Sequence, residues 1–418
     1  MTAVQLRRVS GVLNGGTPPA NEEYWDGDVP WATPVDLAKV DGGLITSSGR
    51  TLTSKGLSAG STLAPLSSVL LSTRAPIGYT ALTGVSIAFN QGCKAVVPQQ
   101  GRIDPKFLQY ALIASAGNLR AAGNGSTFSE LSTEALLAQE VPVWALELQR
   151  RIADFLDDRV SLIDRIIAAR RQQVTMVMES SSRLSYDCVR GASIEGERRD
   201  CRLDWLGSVP QTWPVVSVGS QFTVELGKML DDKRQTGDHR LPYLRNTNVQ
   251  WDEISVDDLK EMDIPALEYS RYTVDAGDLL ICEGGQPGRS AIWPGSVRPI
   301  GFQKALHRAR SRGRSLPQWL LECLRVAVDL DVFVAASGQT TIAHLTNEQL
   351  RGQRFPFPEP RIQMALLQEL NEKRRDMKNV IAGLAQSNNL LMEYKSSLIT
   401  AMVSGELDVT TANLRIPG

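Results

Sequence analysis

The chain is written twice. At a shift of 214 residues Gln149 meets Gln363, Ile152 meets Leu366, Leu156 meets Leu370, Ile163 meets Met377, Ile167 meets Ile381 and Ala168 meets Ala382. The same shift relates Leu131/Leu345, Glu134/Glu348, Leu136/Leu350 and Pro142/Pro356 upstream, and Leu184/Leu398 and Gly191/Gly405 downstream. Further upstream the offset drifts, as it must when loops differ in length. IDPKFLQYAL (103–112) matches SLPQWLLECL (315–324), Gln91 matches Gln303, and LLSTRAPIG (70–78) matches LLICEGGQPG (279–288). An ordered series of this kind means a duplicated unit of about 210 residues, too long a period for a solenoid.

Each copy has two textures. The first part is rich in Gly, Pro, Ser and Thr, with short β-branched runs (68–72, 85–89, 278–281) and one helix near its end (105–116; 317–328). The second part is almost free of Gly and Pro, and from Ala145 to Arg190 has neither. That reads as a helix of roughly 40 residues, about 60 Å long, with a similar one from about Gln363 to Ser404. The expected fold is mixed α/β: two similar globular domains (1–141 and 193–356), each followed by a long helix (142–192 and 357–409).

The helices carry a heptad stripe. Leu370, Met377, Leu384, Leu391 and Leu398 recur every seventh residue, and the first helix repeats the frame as Leu156, Ile163, Val177 and Leu184, interrupted at Arg170. Such a seam needs a partner helix, and the nearest is the other helix of the same chain. Either direction of pairing is open. Antiparallel packing, which would relate the copies by a pseudo-two-fold axis, is preferred. Arg170, Asn388 and Lys395 beside the seam favour a specified register over maximal stability.

No catalytic machine accompanies the duplication. His239, His307 and His344 all lie in the second copy, so a His-based triad cannot have been copied with the fold. There is no G-x-x-x-x-G-K-[ST] loop, no H-E-x-x-H and no dinucleotide fingerprint. The five scattered cysteines form no C-x-x-C, which points to a reducing, cytoplasmic setting without a zinc site or a disulfide framework. No run approaches the roughly 20 apolar residues that span a bilayer. Pairs such as Asp231–Asp232 and Asp257–Asp258 read as solvated turn charges.

Lys+Arg is 45 and Asp+Glu 46, which excludes binding of a polyanion through bulk charge. Local donors are another matter. Between 298 and 314, Arg298, Lys304, Arg308, Arg310, Arg312 and Arg314 occur without an acid, a strip able to neutralise phosphates or to guard an edge strand. Arg74, Gln91 and Lys94 in the first copy, and Arg289, Gln303 and Lys304 in the second, fall at related places. Arg245, Asn246 and Asn248 sit in YLRNTNVQW, while Thr127 and Thr340 sit in Gly/Thr turns. Arg, Lys, Asn and Gln are the side chains that read purine edges. These features fit a DNA reader, and they also fit a non-enzymatic scaffold or adaptor built on a coiled-coil strut.

The segments GGTPPANEEYWDGDVPWATPVDL (15–37), LLSTRAPIGYTAL (70–82), FNQGCKAVVP (89–98) and GSTFSELSTEAL (125–136), followed by L-x-x-Q-R-R-I-A-x-F-L-D (146–157), resemble the specificity subunit of type I restriction-modification systems. DWLGSVPQTWPVVSVG (204–219) is similar to the opening of a target-recognition domain in that family, and SSLITAMVSGELDV (396–409) to its C-terminal end. The first copy lacks its own W-L-G-x-x-P-x-x-W opening. The resemblance implies two target-recognition domains, each reading half of a split double-stranded DNA sequence, held apart by antiparallel helices. It implies no catalytic site and no cofactor in this chain. S-adenosylmethionine, ATP and Mg would belong to partners: two modification subunits that methylate adenine, and restriction subunits with translocase and nuclease activity.

Overall fold

Leu146–Val189 is one helix of 44 residues and Pro360–Ser404 another of 45. The missing Gly and Pro explain the first. In the second, Pro360 opens the first turn, where its lost N–H costs nothing. Each helix ends on a glycine at positive φ, Gly191 (+65°) and Gly405 (+80°), the left-handed cap that a Cβ disfavours. A tryptophan lies against each cap, Trp213 on Gly191 and Trp144 on Gly405.

The computed structural model describes residues 1–74, 76–123, 130–230, 237–336 and 344–409. The chain divides into Met1–Arg171 with Ala385–Gly418, and Gln172–Leu384. The division cuts both long helices, so each unit holds one recognition-type domain, the start of one helix and the end of the other.

In the first unit a five-stranded sheet runs in the order Ser10–Asn14, Cys93–Pro98, Val69–Ser72, Thr80–Thr83, Gly43–Ile45. A four-stranded sheet follows the order Arg50–Leu52, Trp25–Ala32, Ile87–Phe89, Thr62–Ala64. The second unit repeats the plan with fewer strands. Phe222–Leu226, Leu306–Ser311, Leu279–Cys282 and Ser290–Ile292 form one sheet, and Lys260–Asp263, Arg240–Leu244 and Gly301–Phe302 another. In both, one parallel pair marks the same junction: Ala32 opposite Phe89, and Leu244 opposite Phe302.

The helices pack antiparallel within each unit. In the first, Lys395 Nζ donates to Asp164 (2.7 and 2.8 Å) and Arg170 Nη1 to Ser387 Oγ (2.5 Å), so numbering rises along one helix as it falls along the other. In the second, Arg374 donates to Ser185 Oγ (2.7 Å) and Cys188 to Leu366 O (3.8 Å). The seam is strongest where a domain core meets it. Leu156, Ile163, Leu391 and Leu398 join Leu71, Val96 and Phe107 in one buried cluster, and Leu370 joins Trp319, Leu320 and Phe355 in another. Val177, Leu184, Met377 and Leu384 are only half-buried. Burying a leucine fully is worth about 1.5–3 kcal/mol, so the outer parts of the seam contribute most of its stability.

Candidate nucleic-acid interface

The turn Asn90–Gly92 joins two strands of the first unit and rests on Gly15–Gly16. Asn90 N–H donates to Ala32 O (3.0 Å) and Gly16 N–H to Phe89 O (2.9 Å). A Cβ on Gly15 would lie 2.0 Å from Asn90 O, so only glycine permits the approach. Two indoles pin the loop that follows: Trp31 Nε1 donates to Gly16 O (3.0 Å) and Trp25 Nε1 to Pro19 O (3.2 Å). Between them, Thr17 Oγ1 donates to Gln91 Oε1, and both side chains are exposed. The Arg50 guanidinium carbon sits 3.6 Å from the Trp25 ring centroid, a distance that only a stack on the ring face allows.

Arg74 is also exposed, its Nε 3.3 Å from Glu130. Lys94 differs from expectation. It is buried, with Nζ donating to Asn14 Oδ1 (2.7 Å), and Asn14 Oδ1 also accepts from Thr133 Oγ1 (2.8 Å). Burial pushes its pKa down. The ammonium is committed to the framework, because its strand is central to the sheet and the side chain faces the adjoining strand.

The second unit builds the same turn. Gln303 N–H donates to Leu244 O (3.0 Å), Lys228 N–H donates to Phe302 O (2.9 Å), and a Cβ on Gly227 would meet Gln303 O at 2.2 Å. Gln303 thus stands where Asn90 does, and Lys304 where Gln91 does. The sequence match of Gln91 with Gln303 is one residue out of register. Lys304 is exposed and Gln303 half-buried.

The other second-copy candidates serve the framework. Arg245 Nη2 donates to Asp258 O (2.6 Å) and Oδ2 (2.8 Å), and that bond holds the exposed Asp258 carboxyl below its usual pKa. Asn248 is buried, accepting from Arg245 N–H (3.0 Å) and donating to Ser255 O (3.2 Å). Asn246 uses its carbonyl to receive Arg289 Nη2 (3.0 Å). Cys282 N–H donates to Arg289 O (2.8 Å) as Ser72 N–H does to Tyr79 O (2.9 Å), so Arg289 is the counterpart of Tyr79 rather than of Arg74. Arg308 is buried, its Nη1 donating to Ser270 O (3.1 Å) and Thr273 O (2.5 Å), and burial lowers its pKa. Arg310 pairs with Asp278 (2.6 Å) and Asp275 (2.7 Å). The acid-free strip from 298 to 314 therefore does not present a continuous basic face, since its two central arginines turn inward to acceptors from other segments.

Thr127, Thr340 and the pair Asp231–Asp232 lie outside the described residues. Of the histidines, His307 is buried with Nε2 2.7 Å from Leu345 O. Among the described residues there is no group of three or more His, Cys, Asp or Glu placed to hold a metal ion, and no helix long and apolar enough to cross a membrane. The sequence reading passed over Thr17, Trp25, Trp31 and Arg50. Trp25 and Trp31 act by holding the backbone carbonyls of Pro19 and Gly16, which leave no pattern in the sequence.

The model of the type I restriction modification DNA specificity domain matches residues 1–176. The MjaIX type I restriction enzyme specificity subunit of Methanocaldococcus jannaschii is 24% identical over 97% of this chain and 93% of its own length. The EcoR124I/EcoR124II specificity subunit of Escherichia coli is 32% identical over 36% of this chain and 39% of its own. Among solved structures, the HsdS subunit from Thermoanaerobacter tengcongensis superposes with a TM-score of 0.56 at 16% identity, covering 97% of each chain. A chain from a type I restriction-modification assembly does so with a TM-score of 0.71 at 14% identity, covering 97% of this chain and 98% of that one. The duplicated framework, the paired long helices and these matches agree: residues 1–176 match the DNA specificity domain of type I restriction-modification systems, and the chain as a whole is similar in sequence and fold to the specificity subunits of those enzymes.

Proposed function

We propose that each recognition domain (1–141 and 193–356) reads one half of a bipartite double-stranded DNA sequence, and that the helical segments (142–192 and 357–409) set the gap between the halves. One observation carries the reading. The two units hold the same turn in the same backbone bonds, yet Asn90 and Gln91 in one are Gln303 and Lys304 in the other. A constant framework with changed polar side chains is what two different half-sites require. Arg74, Gln91 and Lys304, all exposed, are the leading candidates for base contacts. Two modification subunits supply S-adenosylmethionine-dependent methylation of adenine, and restriction subunits supply the ATP- and Mg-dependent steps. Partner subunits sharing the phosphate contacts would accommodate the near-zero charge of this chain.

The test is co-expression with the cognate modification subunit, followed by methylome sequencing. The expected result is adenine methylation at one bipartite motif that disappears when this gene is deleted. Methylation without such a motif would overturn the reading.

A further inference from the structure

Gln91 can face a base in two ways. A glutamine whose amide is free to turn offers an acceptor and a donor together, the pattern that matches adenine N6 and N7. Here the amide is not free. Thr17 Oγ1 donates to Gln91 Oε1, which turns the oxygen toward the loop and leaves the Nε2 amino group, a donor only, for an incoming partner. A hydrogen bond between two exposed side chains is worth little by itself, because water competes for both. This one is held at both ends. The Thr17 backbone follows Gly16, which bonds Phe89 O through its N–H and Trp31 Nε1 through its carbonyl. Gly16 is also pressed on Gly60, where a Cβ would come within 2.2 Å of the carbonyl oxygen. Beyond Pro18, Trp25 Nε1 fixes Pro19 O, and Arg50 stacks on the outer face of that indole. On the Gln91 side, Gly92 N–H donates to Asn90 Oδ1 (3.0 Å) and Cys93 N–H to Asn90 O (3.1 Å). The second unit holds Lys304, another donor without an acceptor, at the place of Gln91.

We propose that Thr17 is a specificity-determining positioning residue: it orients Gln91 to donate into the first half-site, so that the base opposite is one with a keto acceptor edge, guanine or thymine, and adenine, which keeps the N7 acceptor but sets its N6 amino group against the donor, is disfavoured. Trp31 and Trp25 hold the loop that makes this possible. The inference rests on the proposed reading of DNA by this turn.

The experiment uses the full complex of this chain with its modification subunit, and measures methyl transfer to duplexes carrying each base at each position of both half-sites. Wild type is run first. If it shows no bipartite preference, the reading of DNA fails, and the role of Thr17 with it. With that preference in hand, Thr17→Val, which keeps the shape but removes the hydroxyl, is expected to relax one position of the first half-site. There adenine rises toward the keto base by roughly five- to a hundredfold relative to wild type, with the second half-site unchanged. Thr17→Ser retains the donor and should keep the wild-type preference. Gln91→Ala should abolish discrimination at the same position. The proposal is overturned if Thr17→Val leaves every position of the first half-site unaltered while wild type discriminates. It is equally overturned if both half-sites weaken together with a lowered melting temperature, since that marks a structural role.

Discussion

Gln149 and Gln363 share two bonds in their two units, one accepted from a backbone N–H and one donated to the carbonyl five residues before. Gln149 Oε1 accepts from Asp104 N–H (2.8 Å) while its Nε2 donates to Trp144 O (2.8 Å) and Arg102 O (3.2 Å). Gln363 Oε1 accepts from Leu316 N–H (2.8 Å) while its Nε2 donates to Pro358 O (2.6 Å) and Ser315 Oγ (3.2 Å). Both are fully buried. Each amide locks the start of a long helix to the start of the short helix of its own domain. Gln149→Ala or Gln363→Ala removes a buried amide and leaves a part-buried backbone N–H without its partner, which costs about 1–3 kcal/mol. Chemical denaturation should find losses of that size for both variants. A loss below about 0.5 kcal/mol would mean that water replaces the amide.

The second unit adds a buried ion pair that the first does without. Arg374 grips Glu322 through two bonds (2.5 and 2.7 Å), and Glu322 is almost fully buried. The first unit has Tyr110 donating to Asp157 instead (2.8 Å). Glu322→Gln leaves a buried cation without its counter-charge and should destabilise by about 3–5 kcal/mol. Arg374→Met with Glu322→Met should recover much of that loss. A double variant as unstable as the single one would place the cost in packing rather than in the orphaned charge.

His307 gives the second unit a pH dependence. Burial lowers its imidazole pKa, and Nδ1 has no hydrogen-bond partner among the described residues. The unfolded chain takes up the proton near the ordinary value of about 6.5, while the fold resists it. Stability from this group is thus fully present above that value and falls as pH drops below it, by at most about 1.4 kcal/mol per pH unit. The unfolding free energy measured from pH 7.5 to 5.5 (about one unit either side of that value) should fall less steeply in His307→Asn. Identical slopes would remove His307 from the account.

All five cysteines are free and buried, and burial pushes the Cys93 and Cys188 thiols up to about 12. The thiolate is the reactive species. The folded chain should therefore be inert to Ellman's reagent at about pH 8 and react at all positions in guanidinium. A fast-reacting thiol in the native state would reveal local opening near it.

The duplication made most of the fold legible, because a pattern seen twice averages out local ambiguity. The long helices were visible as stretches almost without Gly or Pro, the second interrupted only by Gly383 after its opening Pro360. The site was less legible. Charge alone cannot say whether an arginine faces water or a carbonyl. Arg308 and Lys94 sit in interior strands of their sheets, and their acceptors, Thr273 and Asn14, lie far away in sequence. Register was the second loss: one residue of drift exchanged Gln91's counterpart from Lys304 to Gln303. Trp31 and Trp25 were missed because their partners are backbone carbonyls, which carry no sequence signal.

That difference between inward and outward cations separates two outcomes. Lys304 is exposed on the turn that matches Gln91, whereas Arg308 lies buried in the next strand with its Nη1 bonded to two carbonyls. Lys304→Ala should weaken the second half-site only, by roughly 1–3 kcal/mol if it reads a base, and leave the melting temperature near wild type. Arg74→Ala should do the same for the first half-site only. Arg308→Ala empties a buried site and removes the bonds to Ser270 O and Thr273 O, so it should lower stability without a preference for either half-site beyond that loss. Methyl transfer to duplexes altered in one half at a time, set beside melting curves, distinguishes them. A selective half-site defect in Arg308→Ala at unchanged stability would show that this arginine leaves its carbonyls to meet DNA.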